Sequence, residues 1–88
     1  MKHELKTDKE VYEAVVDGQK TYEIRFDDRG YAVDDVLLLR ETAFSGEQMK
    51  AGSPLVYTGA SIGVKVTHVL RGPIYGLMDG WVIMSFRF

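Results

Sequence analysis

Gly18-Gln19-Lys20-Thr21-Tyr22-Glu23-Ile24-Arg25-Phe26 is the stretch in which the chain changes its period. Ahead of it, Val11, Ala14 and Val15 stand at i, i+3 and i+4, and Tyr12 and Val16 widen the apolar stripe, the spacing of a helix with one buried face. Gly18 supplies the stop, because glycine enters the left-handed conformation that closes a helix without steric cost. Behind it, Tyr22, Ile24 and Phe26 alternate with Thr21, Glu23 and Arg25, which predicts a half-buried strand. The octet from Gly18 to Arg25 also gathers Lys20, Glu23 and Arg25 within six residues. Strands seldom hold so many ionisable groups unless one face is wet or lines a cleft. A cleft of this kind can hold a carboxylate, a phosphate or a base edge; the alternative is a solvated face crossed by an ion pair.

Working outward, Thr7-Asp8-Lys9-Glu10 has the form of a capping box, which places the helix from about Asp8 to Asp17. His3 to Lys6 is expected as a short first strand. Asp27-Asp28-Arg29-Gly30 is a turn by composition, and Val36 to Thr42 a more apolar strand with Arg40 and Glu41 at its outer end. Ala43 to Pro54, polar and broken by Gly46 and Gly52, is expected as a long loop or irregular hairpin, closed by Tyr57-Thr58-Gly59. Ser61 to Leu70 alternates, with Val64, Val66 and His68 on one face and Lys65, Thr67 and Val69 on the other. After the break at Gly72-Pro73, Trp81 to Phe88 is the last strand. Strand, helix, then strands at hairpin spacing predict a mixed α+β, mainly β domain: a small, partly closed β-barrel plugged by one principal helix.

Eighty-eight residues suffice for a single core, so residues 1–88 are expected to form one domain. With no cysteine there is no disulfide framework and no thiolate metal site, and His3 and His68 are too few for an obvious zinc site. The aspartate pairs Asp27-Asp28 and Asp34-Asp35 lack calcium-loop spacing and suit turn chemistry, so no metal and no cofactor is expected. The longest apolar runs are strand-length and no apolar segment follows the first residues, which points to a cytoplasmic protein away from membranes. The net charge is −2, with six basic and eight acidic residues in 1–30, two and four in 31–60, and three and one in 61–88. No segment is a polybasic stripe, which argues against duplex DNA and leaves room for a local site for one nucleotide or a single strand.

The ordered set His3-Glu4-Leu5-Lys6-Thr7, Gly18-x-Lys20-Thr21-x-Glu23-Ile24-Arg25, Asp28-Arg29 and Val33-x-Asp35-x-Leu37 resembles the ASCH domain of the PUA-like superfamily, in its short bacterial and phage subgroup of unknown function. The likeness runs on through Leu39-Arg40-Glu41, Tyr57-Thr58-Gly59, Val66-Thr67 and Gly76-Leu77 to Gly80-Trp81-Val82, nearly the whole chain. The resemblance implies a PUA-like β-barrel with a helix, and a cleft beside the Gly-x-Lys-x-x-Glu-x-Arg signature that binds RNA or a modified nucleotide. Lys20 and Arg25 would then contact phosphate or a base carbonyl, and Glu23 a base edge or Arg25. Tyr22 or Tyr75 would stack, and Lys6 and Arg29 would flank the cleft. As plain sequence positions, Tyr22 and Trp81 are expected first as core aromatics. Some ASCH proteins are amidohydrolases of N4-acetylcytidine with a Lys, Thr and Glu set. Lys20 matches the Lys, but the Thr position falls within Tyr22-Glu23-Ile24, and the distal acidic segment has no counterpart. A nucleoside- or RNA-directed hydrolase with Lys20 as activator and Glu23 as general base is therefore the alternative, and an accessory protein-interaction domain the second. Asp34 stands where the family has Gly before the Asp.

Overall fold

The order of secondary structure follows the change of period at Gly18. A computed structural model describes residues 1–88, with strands β1 (Lys2–Thr7), β2 (Tyr22–Phe26), β3 (Val36–Thr42), β4 (Tyr57–Arg71) and β5 (Trp81–Arg87) and helices α1 (Lys9–Val16) and α2 (Gly46–Lys50). The strands form one sheet in the order β1-β3-β4-β5-β2, curled into a half-barrel. Only β1 and β3 run parallel; the other neighbours are antiparallel. A mainly β α+β domain is thus what the alternating runs anticipate. No helix is long and apolar enough to cross a membrane.

Period-two patterning fills the concave side. Leu5 of β1, Leu37 and Leu39 of β3, Val64 and Val66 of β4, and Val82, Met84 and Phe86 of β5 close over one another there, with Val15 of α1 and Tyr31 completing the core. Complete burial of such side chains contributes roughly 1.5–3 kcal/mol each, which is the main stabilising term in a chain without disulfides.

Four local features depart from the sequence reading. First, Thr7 does not cap α1. It is the last residue of β1, and its hydroxyl donates to the Leu5 carbonyl, while Asp8 takes the N-cap position without a side-chain capping bond. Asp8 Oδ1 instead accepts from the Gly46 amide at 3.0 Å, tying the start of α1 to the start of α2. Second, the capping box lies at Ser45 and Gln48, inside the supposed loop: Ser45 Oγ accepts from the Gln48 amide at 3.1 Å and Gln48 Oε1 from the Ser45 amide at 2.8 Å. The short helix α2 follows from it.

Third, β4 carries a bulge. The pairing steps from Val66–Phe86 to His68–Ser85, so Thr67 is an extra residue and the inward face shifts by one. Val69, not His68, then packs against the core, and His68 is exposed. Fourth, β2 faces the opposite way from its hydropathy. Glu23 is buried at 4 % exposure, whereas Tyr22 and Ile24 are each 47 % exposed and Phe26 is 55 % exposed. Tyr22 is therefore not a core aromatic.

The sheet does not close through backbone pairing: β1 and β2 are its two edges. Side chains bridge the seam between them. Arg25 Nη2 donates to the Lys6 carbonyl at 2.7 Å and Arg29 Nη1 to the Glu4 carbonyl at 2.9 Å. Glu4 and Lys6 are alternate residues of β1, whose carbonyls face away from β3, so two guanidiniums occupy acceptors that a sixth strand would otherwise use.

Candidate functional site

The charged face of β2 turns inward at the seam, and this brings Lys20, Glu23 and Arg25 together. Lys20 Nζ donates to Glu23 Oε1 at 2.8 Å, and Arg25 Nε donates to Glu23 Oε2 at 2.8 Å. Glu23 and Arg25 lie two apart on one strand and so share a face, while Lys20 reaches them from the turn that follows α1. A carboxylate buried in this way needs partners, and both its oxygens have one. The guanidinium is divided: Nε holds Glu23 and Nη2 holds β1.

This network forms one wall of a cleft of about 630 Å³ between β2, β1 and the two helices. Lys6, Thr7 and Asp8 line it from the end of β1, Val11 from α1, Gly46 and Lys50 from α2, and Ile24, Phe26 and Trp81 from the β2–β5 pair. Four cations (Lys6, Lys20, Arg25, Lys50) face two carboxylates (Asp8, Glu23), a net of +2 on a chain whose net charge is −2. Lys6 and Lys50 are exposed and pair with no carboxylate, so they are available to a ligand. The aromatic wall is held by a close approach. Phe26 meets Trp81 edge-on at 6.3 Å, and its ring lies across Gly80, where an added Cβ would come within 2.7 Å of it.

Of the residues singled out in the sequence, Lys20, Glu23, Arg25 and Lys6 meet at this cleft. Arg29 lies outside it, occupied with the Glu4 carbonyl and 3.8 Å from Asp28. Tyr22 lies on the convex face, with the Lys20 ammonium 5.2 Å from its ring centroid. Tyr75 is 92 % exposed in the β4–β5 connection. Arg40 is also elsewhere, stacked on Tyr57 and 3.5 Å from Glu4. Lys50, Asp8 and Trp81 are cleft residues that sequence reasoning missed. Ser45-x-x-Gln48 was the available signal for the short helix that carries Lys50.

Outside the cleft, two carboxylates, Asp27 and Asp35, are held below their ordinary range. For Asp27, burial pushes the value up but is outweighed by hydrogen bonds from the Tyr31 amide, Arg71, and the Gly30 and Arg29 amides. For Asp35, the bond to His3 Nε2 at 2.9 Å lowers it most; burial opposes this, and the amino terminus and the Ala32 amide add to the lowering. His3 is thus a satisfied core histidine, packed edge-on against Tyr31. No cluster of three or more His, Cys, Asp or Glu side chains is arranged to hold a metal ion.

The model of a domain of unknown function, DUF3850, matches residues 2–86. The chain belongs to that family. Its matched span includes every residue of the cleft, from Lys6 to Trp81. Among curated proteins none matches the chain.

Proposed function

We propose that this DUF3850 domain is a binding module for RNA or a nucleotide, of the single-stranded or small kind, and that the cleft at the seam is its site. The observation that carries the reading is the +2 cleft beside the Lys20–Glu23–Arg25 network on a net acidic chain. Lys6 and Lys50 would meet phosphate, the Lys20 ammonium a base carbonyl or phosphate, and Trp81 would offer an edge or face to the base. Glu23 has both oxygens engaged, which suits a group that orients two cations better than a general base that must accept a proton from water. That geometry favours binding over the hydrolase alternative. We further propose that the half-barrel is of the ASCH, PUA-like type, the reading supported by its curled sheet, its helix and the ordered motifs. A ligand of this class suits a cytoplasmic protein.

Titration with cytidine monophosphate and with short single-stranded RNA, followed by amide chemical shifts, tests the reading. Shifts are expected at Lys20, Glu23, Arg25 and Lys50. Lys20→Ala should weaken binding roughly tenfold or more, the scale of one lost charged hydrogen bond. Unmoved amides around the cleft at millimolar ligand would dispose of it.

A further inference from the structure

The convex face of the sheet carries two rows of side chains that run across the strands. In the first row, Tyr22 of β2, Ser85 of β5 and His68 of β4 stand opposite one another. In the second, Arg87 of β5, Lys65 of β4, Val36 of β3 and Lys2 of β1 do the same. All are exposed except Lys65, which is half-buried. Ser85 and Arg87 are two apart on one strand, so the rows lie side by side at about 7 Å.

The two rows differ in chemistry. The first sets two flat rings on either side of a serine. Their strands are two spacings apart, about 10 Å, and the short Ser85 side chain leaves a slot between the rings. The second row holds three cations. Lys2 pairs with no carboxylate, Arg87 meets only the Phe88 oxygen at 3.4 Å, and Lys65 lies 3.5 Å from the exposed Asp34. Neither row contains an acidic residue. On a chain of net charge −2, residues 61–88, which supply the centre of this face, have three basic side chains and one acidic. Lys20 joins the face to the cleft: its ammonium is bonded to Glu23 there and lies 5.2 Å from the Tyr22 ring centroid.

We propose that this face is a path for single-stranded RNA continuing out of the cleft, with a base seated over Ser85 between Tyr22 and His68 and phosphates on Arg87, Lys65 and Lys2. The proposal rests on the reading of the cleft as an RNA site and names its ligand as a strand of several nucleotides. A single strand offers base faces and phosphates side by side, as the ring row and the cation row require. A duplex hides its base faces by stacking and leaves the ring row unused.

Calorimetric titration with cytidine monophosphate and with a six-nucleotide oligocytidylate, paired with amide chemical shifts, tests it. The hexanucleotide should bind at least tenfold more tightly than the mononucleotide, and it alone should move the Ser85 and His68 amides. Lys65→Gln with Arg87→Gln should weaken the hexanucleotide roughly tenfold and leave the mononucleotide unchanged. The slope of log affinity against log salt should fall by about 1.4, two phosphate contacts on a single strand. Equal affinity for the two ligands would overturn the path and leave the cleft standing. So would hexanucleotide binding that the paired variant does not alter. A hexanucleotide that binds through Lys65 and Arg87 while the mononucleotide leaves the cleft amides unmoved would support the path and remove the cleft; binding of neither ligand would remove both. The amide shifts are read on the wild type, so they decide the matter even where the paired variant does not fold.

Discussion

At the scale of single residues, Glu23 is the pivot of the cleft. Its carboxylate has 5 % side-chain exposure and holds Lys20 and Arg25, the first at 16 % and the second at 29 %. Removing it leaves two partly buried cations with no counter-ion, so Glu23→Ala should cost about 2–3 kcal/mol in denaturant unfolding. Replacing Arg25 by Lys would keep the charge but lose the fork that serves Glu23 and β1 together. Asp34 is a second residue with a measurable strain. Its φ is +75°, a conformation that glycine takes freely, and its carboxylate is exposed 3.5 Å from Lys65. Asp34→Gly should therefore raise stability by up to about 1 kcal/mol in the same assay. A positive φ at this place is a backbone requirement that glycine meets without a Cβ penalty.

At the scale of elements, the strands were legible because alternation survives in any context, and α1 because its stripe is long enough to have a period. What local pattern could not supply was direction. In β2 the alternation is plain, yet the polar face goes inward, since only the folded sheet reveals that this strand is an edge beside a cleft. In β4 one extra residue at Thr67 exchanged the places of His68 and Val69, and a bulge has no signature in composition. The capping signals show the same limit. Thr7-x-x-Glu10 and Ser45-x-x-Gln48 both fit the pattern, and tertiary pairing with β3 took Thr7 into a strand. Ser45→Ala should cost about 1 kcal/mol, measured by thermal unfolding, because it frees the Gln48 amide at the start of α2. The candidate site was half legible for the same reason: Lys6, Lys20, Glu23 and Arg25 follow from motif and proximity, whereas Lys50 and Trp81 arrive from elements distant in the chain.

At the scale of the whole molecule, Asp27 and Asp35 anchor opposite ends of the segment between β2 and β3. Asp27 draws Arg71 of β4 onto it at 2.6 Å, and Asp35 holds His3 of β1. Both carboxyls are depressed in the folded protein, so unfolding in acid takes up protons that the native state does not bind. The stability they contribute is complete above the ordinary aspartate range and is lost as pH falls through their lower folded values, below about pH 4. Denaturant midpoints measured from neutral pH downward should fall steeply there, and Asp27→Asn or Asp35→Asn should lower stability at neutral pH while flattening the acid limb. The seam has a consequence for shape. Because guanidiniums rather than a ladder of amides draw β1 towards β2, the curvature of the half-barrel there depends on two removable side chains. Shortening Arg25 and Arg29 together would let the sheet uncurl at that margin while every strand kept its partners, changing the outline of the molecule and not its topology.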